Sequence, residues 1–287
     1  MPRTLSSAQV EGYARKGFVS PVAALTDAEA AGCRERLDAF ERSVGGLLTS
    51  DAVDPRYRSR THVLLSWVHG LAAHPAVLDA VEDLIGPDIL VFTSTWFIKE
   101  PGSPAIAAWH QDATYFGLSP HAHVTAWLAL TEASADSGCM EFLPGSHAGG
   151  QRPHRAGVVE QSVNRARQAI VGAVDDAPAV HAPLHPGQFS LHHTLLMHRS
   201  QPNRARDRRI GLAISYIPTH VRHLGVRKPP AMLVRGVDRH GHFEHEPAPA
   251  ADMDAAARAA YGRSYEGYRA AYAEQVSQEA PVAAPGR

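Results

Sequence analysis

The sequence predicts an α+β fold that is mainly β: a jelly-roll (double-stranded β-helix, cupin-like) barrel with helices packed on one outer face. Two observations carry that prediction. Short runs rich in β-branched and aromatic residues follow one another between residues 89 and 217, separated by turn residues. Capped helical segments precede them, the arrangement in which helices cover one side of a sheet. With 44% hydrophobic residues in a chain of 287, one large core can be buried.

In chain order, Ser6 and Ser7 can cap a helix running to about Lys16, and "TDAE" at 26–29 is a capping-box pattern opening a longer helix that stops at Gly45 and Gly46. A third helix, 75–85, starts on Pro75 and ends at Gly86 and Pro87. The strands follow: "ILVFTSTWFIKE" (89–100), "AWHQDATYF" (108–116), "VTAWLAL" (124–130), "CMEFLPG" (139–145), "GQFSLHH" (187–193) and "RIGLAISYI" (209–217). "EASADSGC" and "HPGQ" punctuate them as turns. The polar segment 149–182, with a short helix expected near 161–169, suits an insertion over the barrel mouth. After Pro218 loops are expected, then a helix at about 252–275 and a disordered tail over 276–287. N-terminal helices (1–88), barrel core (89–218) and C-terminal loops and helix (219–275) thus form one expected domain over 1–275.

Lys and Arg number 28 against 29 Asp and Glu, a net charge of -1 with no basic run, so nucleic acid and anionic membranes are poor partners. No stretch has the length of a membrane span or a signal peptide, and a cytoplasmic location is expected. The two cysteines, Cys33 and Cys139, are too few for a disulfide framework and are expected to be reduced core residues.

Histidine is over-represented, at 18 residues. In "WHQDATYF" (109–116), His110 and Asp112 stand two apart, and on a strand residues i and i+2 share a face, so both can converge on one metal ion. A third ligand would complete two imidazoles and one carboxylate, the facial set of non-haem iron. His192, His193 and His198 compete for that place.

"WHQDATYF", "SGCMEFLPGSH" (137–147) and "HRSQPN" (198–203) followed by an arginine at the start of a strand occur in this order. Together they resemble the phytanoyl-CoA dioxygenase family of Fe(II)/2-oxoglutarate-dependent oxygenases, over about residues 96–216. The resemblance implies Fe(II), 2-oxoglutarate as cosubstrate and O2. It makes His110, Asp112 and His198 the ligands, places His193 beside them without ligation, and leaves His192 as a strand histidine facing the other side. It also implies an arginine on the distal carboxylate of 2-oxoglutarate, which by spacing falls on Arg209, with Arg204, Arg206 and Arg208 close by. Strand parity separates them: Arg209, Gly211, Ala213 and Ser215 share a small-residue face that can line a cavity, whereas Arg208, Ile210, Leu212, Ile214 and Tyr216 share a bulky one. The resemblance adds Ser200, Lys99 and Trp127 as cosubstrate contacts, with Asn203, Gly145 and His147 as turn residues or neighbours of the ligands.

The implied reaction is hydroxylation of an unactivated C–H bond of a small metabolite, in secondary metabolism, releasing succinate and CO2. With Asp112 present, halogenation is disfavoured, because halogenating relatives have a small residue there. The other readings are a cupin-like metalloenzyme not using 2-oxoglutarate and a non-catalytic barrel that binds ligands. The expected partner is a small-molecule substrate; a carrier-protein-bound one has no support in the sequence. Tyr115 and Phe116 stand beside the ligands as candidate substrate contacts. His62, Trp67, Thr219, His220 and Arg222 are candidates from the flanking stretches 59–70 and 217–228. Arg56, Arg58 and Arg60 are read as a solvated loop.

Overall fold

The computed structural model describes residues 4–164 and 167–278, the side chains of Tyr115 and of 276–278 excepted. Its elements in chain order are α1 (Ser7–Lys16), β1 (Phe18–Ala23), α2 (Asp27–Ser43), α3 (Ser66–Ala72), α4 (Pro75–Ile85), β2 (Ile89–Lys99), β3 (Ala107–His110), β4 (Leu118–Ser119) and β5 (Val124–Ala129). There follow β6 (Met140–Phe142), β7 (His154–Arg155), β8 (Ala169–Ile170), β9 (Val180–Ala182), β10 (Gln188–His193), β11 (His198–Ser200), β12 (Arg209–Pro218), β13 (Arg222–His223), β14 (Pro230–Arg235), β15 (Glu244–His245) and α5 (Ala255–Gln278).

Local chemistry sets the helix ends. Ser6 with Gln9 and Thr26 with Glu29 form reciprocal capping boxes that satisfy the first amides of α1 and α2. Pro75 opens α4, where its missing N–H costs nothing.

The large sheet runs β1-β10-β5-β12-β2-β14-β15, and a smaller sheet β3-β11-β6-β9 lies across from it. One face of the large sheet presents Phe189 and Leu191 of β10 and Ile210, Leu212, Ile214 and Tyr216 of β12. These join Leu37, Trp67, Leu71 and Val81 of the helices in one apolar cluster. The other face presents Trp127, Ala129 and Ala213, which meet Cys139, Met140 and Phe142 of the smaller sheet. Two buried polar tips tie the sheet to its surroundings: Trp96 Nε1 donates to Thr61 Oγ1 (2.9 Å) and Tyr216 Oη to the Ala72 carbonyl (2.8 Å). This is the expected jelly-roll, two facing sheets with helices on one outer side.

Several expectations need correction. The strand expected at 108–116 ends at His110, and Asp112–Tyr115 is a 3-10 turn. No helix forms in the described part of 161–169. Ser162 bridges Ile106, the Val163 amide donates to the Ile106 carbonyl (2.9 Å), and Ala169–Ile170 pairs with His154–Arg155. Sheet pairing there takes the amides a helix would use, overriding the helix-forming Ala and Arg residues.

The loops expected after Pro218 include β14, which adds to the sheet beside β2. β1 is a further unexpected strand, holding the opposite edge of the sheet against β10. β1 carries Pro21 at the sheet edge and β14 opens on Pro230, two places where a missing N–H is tolerated. The segment 59–70 contains α3. Of the tail expected over 276–287, α5 continues to Gln278 and the remainder lies outside the described residues.

Candidate metal and cosubstrate site

β3 delivers His110 as its last residue; Gln111 is still extended (φ -125°, ψ 134°), and Asp112 begins the 3-10 turn. His110 and Asp112 therefore converge through a strand end and a turn, rather than through one strand face. Gln111 fixes that turn: its Nε2 donates to the Gly150 and Leu195 carbonyls, and its Oε1 accepts the Arg152 amide. β11 pairs with β3 so that His198 stands opposite His110.

One ligand atom from each of His110, Asp112 and His198 lies within 4.8 Å of the others. Each imidazole is aimed from behind, with His110 Nδ1 donating to the Ala108 carbonyl (2.8 Å) and His198 Nδ1 to that of Leu196 (3.0 Å). The Nε2 atoms are thereby left as the inward lone pairs. They stand 3.8 and 3.6 Å from Asp112 Oδ1. Burial lowers the pKa of both histidines, His198 the further. Burial pushes the Asp112 carboxyl up, but its electrostatic interactions with the surrounding histidines and the His192 hydrogen bond outweigh it and hold the group well below the usual carboxylate range. Neutral imidazoles and an ionised carboxylate are the forms a divalent cation binds. The donor set therefore fits Fe(II). Asn164 Nδ2 lies 3.1 Å from His110 Nε2 and would have to give way to a metal.

Beside the triad, Arg209 is buried at 2% exposure. Its Nη1 donates to the Gly138 carbonyl (2.7 Å), its guanidinium lies 5.1 Å from the Trp127 ring centroid, and its Nε has no partner. Burial pushes its pKa down to about 10. A buried, orphaned guanidinium donor is rare and fits an absent carboxylate. Arg208 points the opposite way, pairing with Glu41, Glu100 and Asp38, while Arg204 and Arg206 are exposed.

Lys99, across from Arg209 on β2, donates Nζ to Ser200 Oγ (2.8 Å) and to the Gln201 carbonyl. Burial and the Arg209 charge push its pKa down to about 6. Asn203 ties the loop, donating Nδ2 to the carbonyls of Lys99, Glu100 and Asp207.

A cavity of about 340 Å³ contains the triad together with Arg209, Ser200 and Trp127. Of the candidate substrate contacts Phe116 lines it, and the Tyr115 side chain lies outside the described residues. His62, Trp67, Thr219, His220 and Arg222 are not among its lining. His62 is buried against Ser94, Trp67 packs on Trp96, Thr219 is buried, and His220 and Arg222 are exposed.

The neighbouring histidines exchange the places expected of them. His192 lines the cavity, with Nε2 3.1 Å from Asp112 Oδ2. His193 turns away beside His147 and Tyr13, and its Nδ1 accepts the Leu195 amide (3.1 Å). The physical reason is β10 parity: His193 shares the face of Phe189 and Leu191, which packs on the helices. Gly145 is a left-handed turn residue (φ 78°), and His147 Nε2 donates to the Ala14 carbonyl. Arg60 is not solvated: it is 0% exposed and donates to Glu246 (2.6 Å), Ser264 and the Phe92 carbonyl. Arg58 lines the cavity, and Arg56 is exposed and paired with Asp54.

Sequence reasoning missed Thr125, which shares its strand face with Trp127 and donates to Asp112 Oδ2 (2.8 Å). It also missed Tyr265, Tyr268, Arg269 and Tyr272 of α5. Spacings of three and four residues set the tyrosines on one helix face and were the available signal.

The phytanoyl-CoA dioxygenase (PhyH) family model matches residues 13–211. The peroxisomal phytanoyl-CoA dioxygenase of Rattus norvegicus is 30% identical over 159 residues, 54% of this chain and 47% of that protein. The 1-deoxypentalenic acid 11-beta-hydroxylase of Streptomyces arenae is 30% identical over 145 residues, 47% of this chain and 50% of that protein. This chain spans about half the length of the curated relatives it matches. Among solved structures, the non-heme monooxygenase ThoJ in its apo form is 34% identical with a TM-score of 0.83, covering 94% of this chain and 100% of that one.

Proposed function

The chain belongs to the phytanoyl-CoA dioxygenase family, and from that premise we propose that it is an Fe(II)- and 2-oxoglutarate-dependent dioxygenase that hydroxylates an unactivated C–H bond of a small metabolite. The observation that carries this reading is the pairing of two features in one cavity. His110, Asp112 and His198 bring their ligand atoms together, and beside them Arg209 offers a buried guanidinium with an unpartnered Nε. ThoJ, which resembles this chain over nearly its full length, also has a structure as a nickel complex.

His110 Nε2, His198 Nε2 and Asp112 Oδ1 would hold the iron, and three protein ligands would leave room for cosubstrate and O2. When bound, iron, 2-oxoglutarate and O2 together supply the oxidising chemistry: the cosubstrate leaves as succinate and CO2, and one oxygen atom goes to the substrate carbon. Arg209 binds the distal carboxylate of 2-oxoglutarate through parallel N–H donors, a grip lysine cannot reproduce. Ser200, held by Lys99, contributes a hydroxyl to the same carboxylate, and Trp127 backs the Arg209 guanidinium. Phe116 and the α5 tyrosines supply an apolar lining for the substrate, which is a small molecule in keeping with the cavity volume of about 340 Å³.

The test is anaerobic titration of metal-free protein with Fe(II) and then 2-oxoglutarate. The expected result is a weak visible charge-transfer band, followed by succinate release on admitting air. Iron binding without the band would favour a cupin-like enzyme not using 2-oxoglutarate, and no iron binding would refute the triad. The S. arenae hydroxylase points the substrate screen towards secondary metabolites.

A further inference from the structure

The two oxygens of Asp112 have different partners. Oδ1 faces His110 Nε2 and His198 Nε2, at 3.8 and 3.6 Å. Oδ2 faces the large sheet, where Thr125 Oγ1 lies at 2.8 Å and His192 Nε2 at 3.1 Å. Thr125 and His192 are cross-strand partners on β5 and β10, so a regular register brings both donors to one oxygen. The rest of the His192 ring is fixed: it is 1% exposed, with the Phe142 and His198 rings 5.5 and 4.6 Å away between centroids.

The tautomer follows from the surroundings. His192 Nδ1 is buried and has no partner. A proton there would be a buried unsatisfied donor, which costs more than an unused lone pair. The ring proton therefore sits on Nε2 and is donated to Asp112 Oδ2.

A carboxylate can bind a cation through one oxygen or through both, and the second mode occupies one more coordination position. At a site that must also take a chelating cosubstrate and O2, that position matters. We propose that His192, together with Thr125, is a positioning residue that confines Asp112 to coordination through Oδ1 alone, keeping open the position that 2-oxoglutarate needs. This assignment rests on reading His110, Asp112 and His198 as the iron site. It gives a role to the histidine that strand parity turns inward, while its neighbour His193 faces the helices.

The experiment compares wild type, His192→Ala, His192→Gln, Thr125→Val and His193→Ala. Each is titrated anaerobically with Co(II), whose absorption responds to coordination number, and separately with Fe(II) followed by 2-oxoglutarate. Loss of a residue orienting a metal ligand lowers metal affinity by about 10- to 100-fold, and that is expected for His192→Ala. An altered Co(II) spectrum and a weaker cosubstrate band at saturating Fe(II) should accompany it. His192→Gln, which restores an N–H donor, should recover most of the loss, and His193→Ala should match wild type.

His192→Ala indistinguishable from wild type would overturn the proposal. So would a glutamine variant as impaired as the alanine one, since the histidine would then act through packing. If His192→Ala fails to fold by circular dichroism, Thr125→Val decides: weakened metal binding in a folded protein supports the shared grip on Oδ2, and unchanged binding refutes it. Wild type that binds no Fe(II) would bring down the iron reading itself, and this assignment with it. A normal wild type with unaffected variants would remove the positioning role alone.

Discussion

Arg208 and Arg209 are adjacent in sequence, yet their replacement should produce opposite defects. Arg208 donates both terminal nitrogens to Glu41 at 2.8 Å and also reaches Glu100, and Glu41 is 2% exposed. In Arg208→Ala the Glu41 carboxylate keeps only the Leu48 amide (2.8 Å). Breaking a buried pair from one side costs about 3–5 kcal/mol. Because Arg208 and Glu100 keep 12% and 28% side-chain exposure, the lower end applies, about 3 kcal/mol. In urea or thermal unfolding this corresponds to a melting temperature lower by about 6 °C, with 2-oxoglutarate affinity nearly unchanged.

In its proposed role Arg209 gives two charge-assisted bonds to the cosubstrate, which Arg209→Ala would remove. That is worth about 3 kcal/mol, or roughly a hundredfold in Kd from the charge-transfer titration. In the metal-free protein, lost stacking on Trp127 and relief of an unpaired buried charge oppose each other, so stability should change by less than about 1 kcal/mol. An Arg208→Ala protein with the larger cosubstrate defect would refute both the strand parity and the carboxylate role.

Asp112→Ala and His198→Ala should each abolish Fe(II)-dependent succinate release while circular dichroism stays native; full Fe(II) binding by either would refute the triad. Gly211→Ala should displace the Trp127 indole, because a Cβ at 211 would lie 1.9 Å from its Cζ2. Overpacking of this kind costs about 1–3 kcal/mol, and unchanged tryptophan emission together with an unchanged unfolding midpoint would contradict it. Lys99, pushed down to about 6 by burial and by Arg209, holds fewer protons folded than unfolded between that value and the usual lysine range. Stability should therefore rise with pH across that window. Lys99→Met should flatten the slope between about pH 6.5 and 8.5, and parallel urea-unfolding profiles would show that Lys99 is not the source.

The helices with capping boxes and the long apolar strands were legible because local chemistry and burial agree there. Ser6, Thr26 and Pro75 mark helix starts that tertiary contacts do not disturb. β1 and β14 were not legible: each carries proline, and their place depends on which strand of the sheet is left to pair. Asp112 reached the site by a turn that alternation does not encode. Arg60 looked solvated beside Arg56 and Arg58 because its partners, Glu246 and Ser264, lie far along the chain. His192 was legible in principle. The parity that separated Arg209 from Arg208 applies equally to β10, where Phe189 and Leu191 claim one face and leave His192 on the other.

The family match ends at Gly211, yet Tyr265, Tyr268, Arg269 and Tyr272, which wall part of the cavity, belong to α5. That helix is moored by Arg60 to Ser264 (2.6 Å) and by Tyr261 to the Ser59 carbonyl (3.2 Å). The triad thus lies within the matched stretch, while the cavity wall draws on that stretch, through Phe116 and Arg58 among others, and on α5 beyond it. On the proposed function, exchanging the α5 wall while keeping its ties to Arg60, Ser59 and the Val226 and Arg227 amides would reshape the cavity and leave His110, Asp112 and His198 in place.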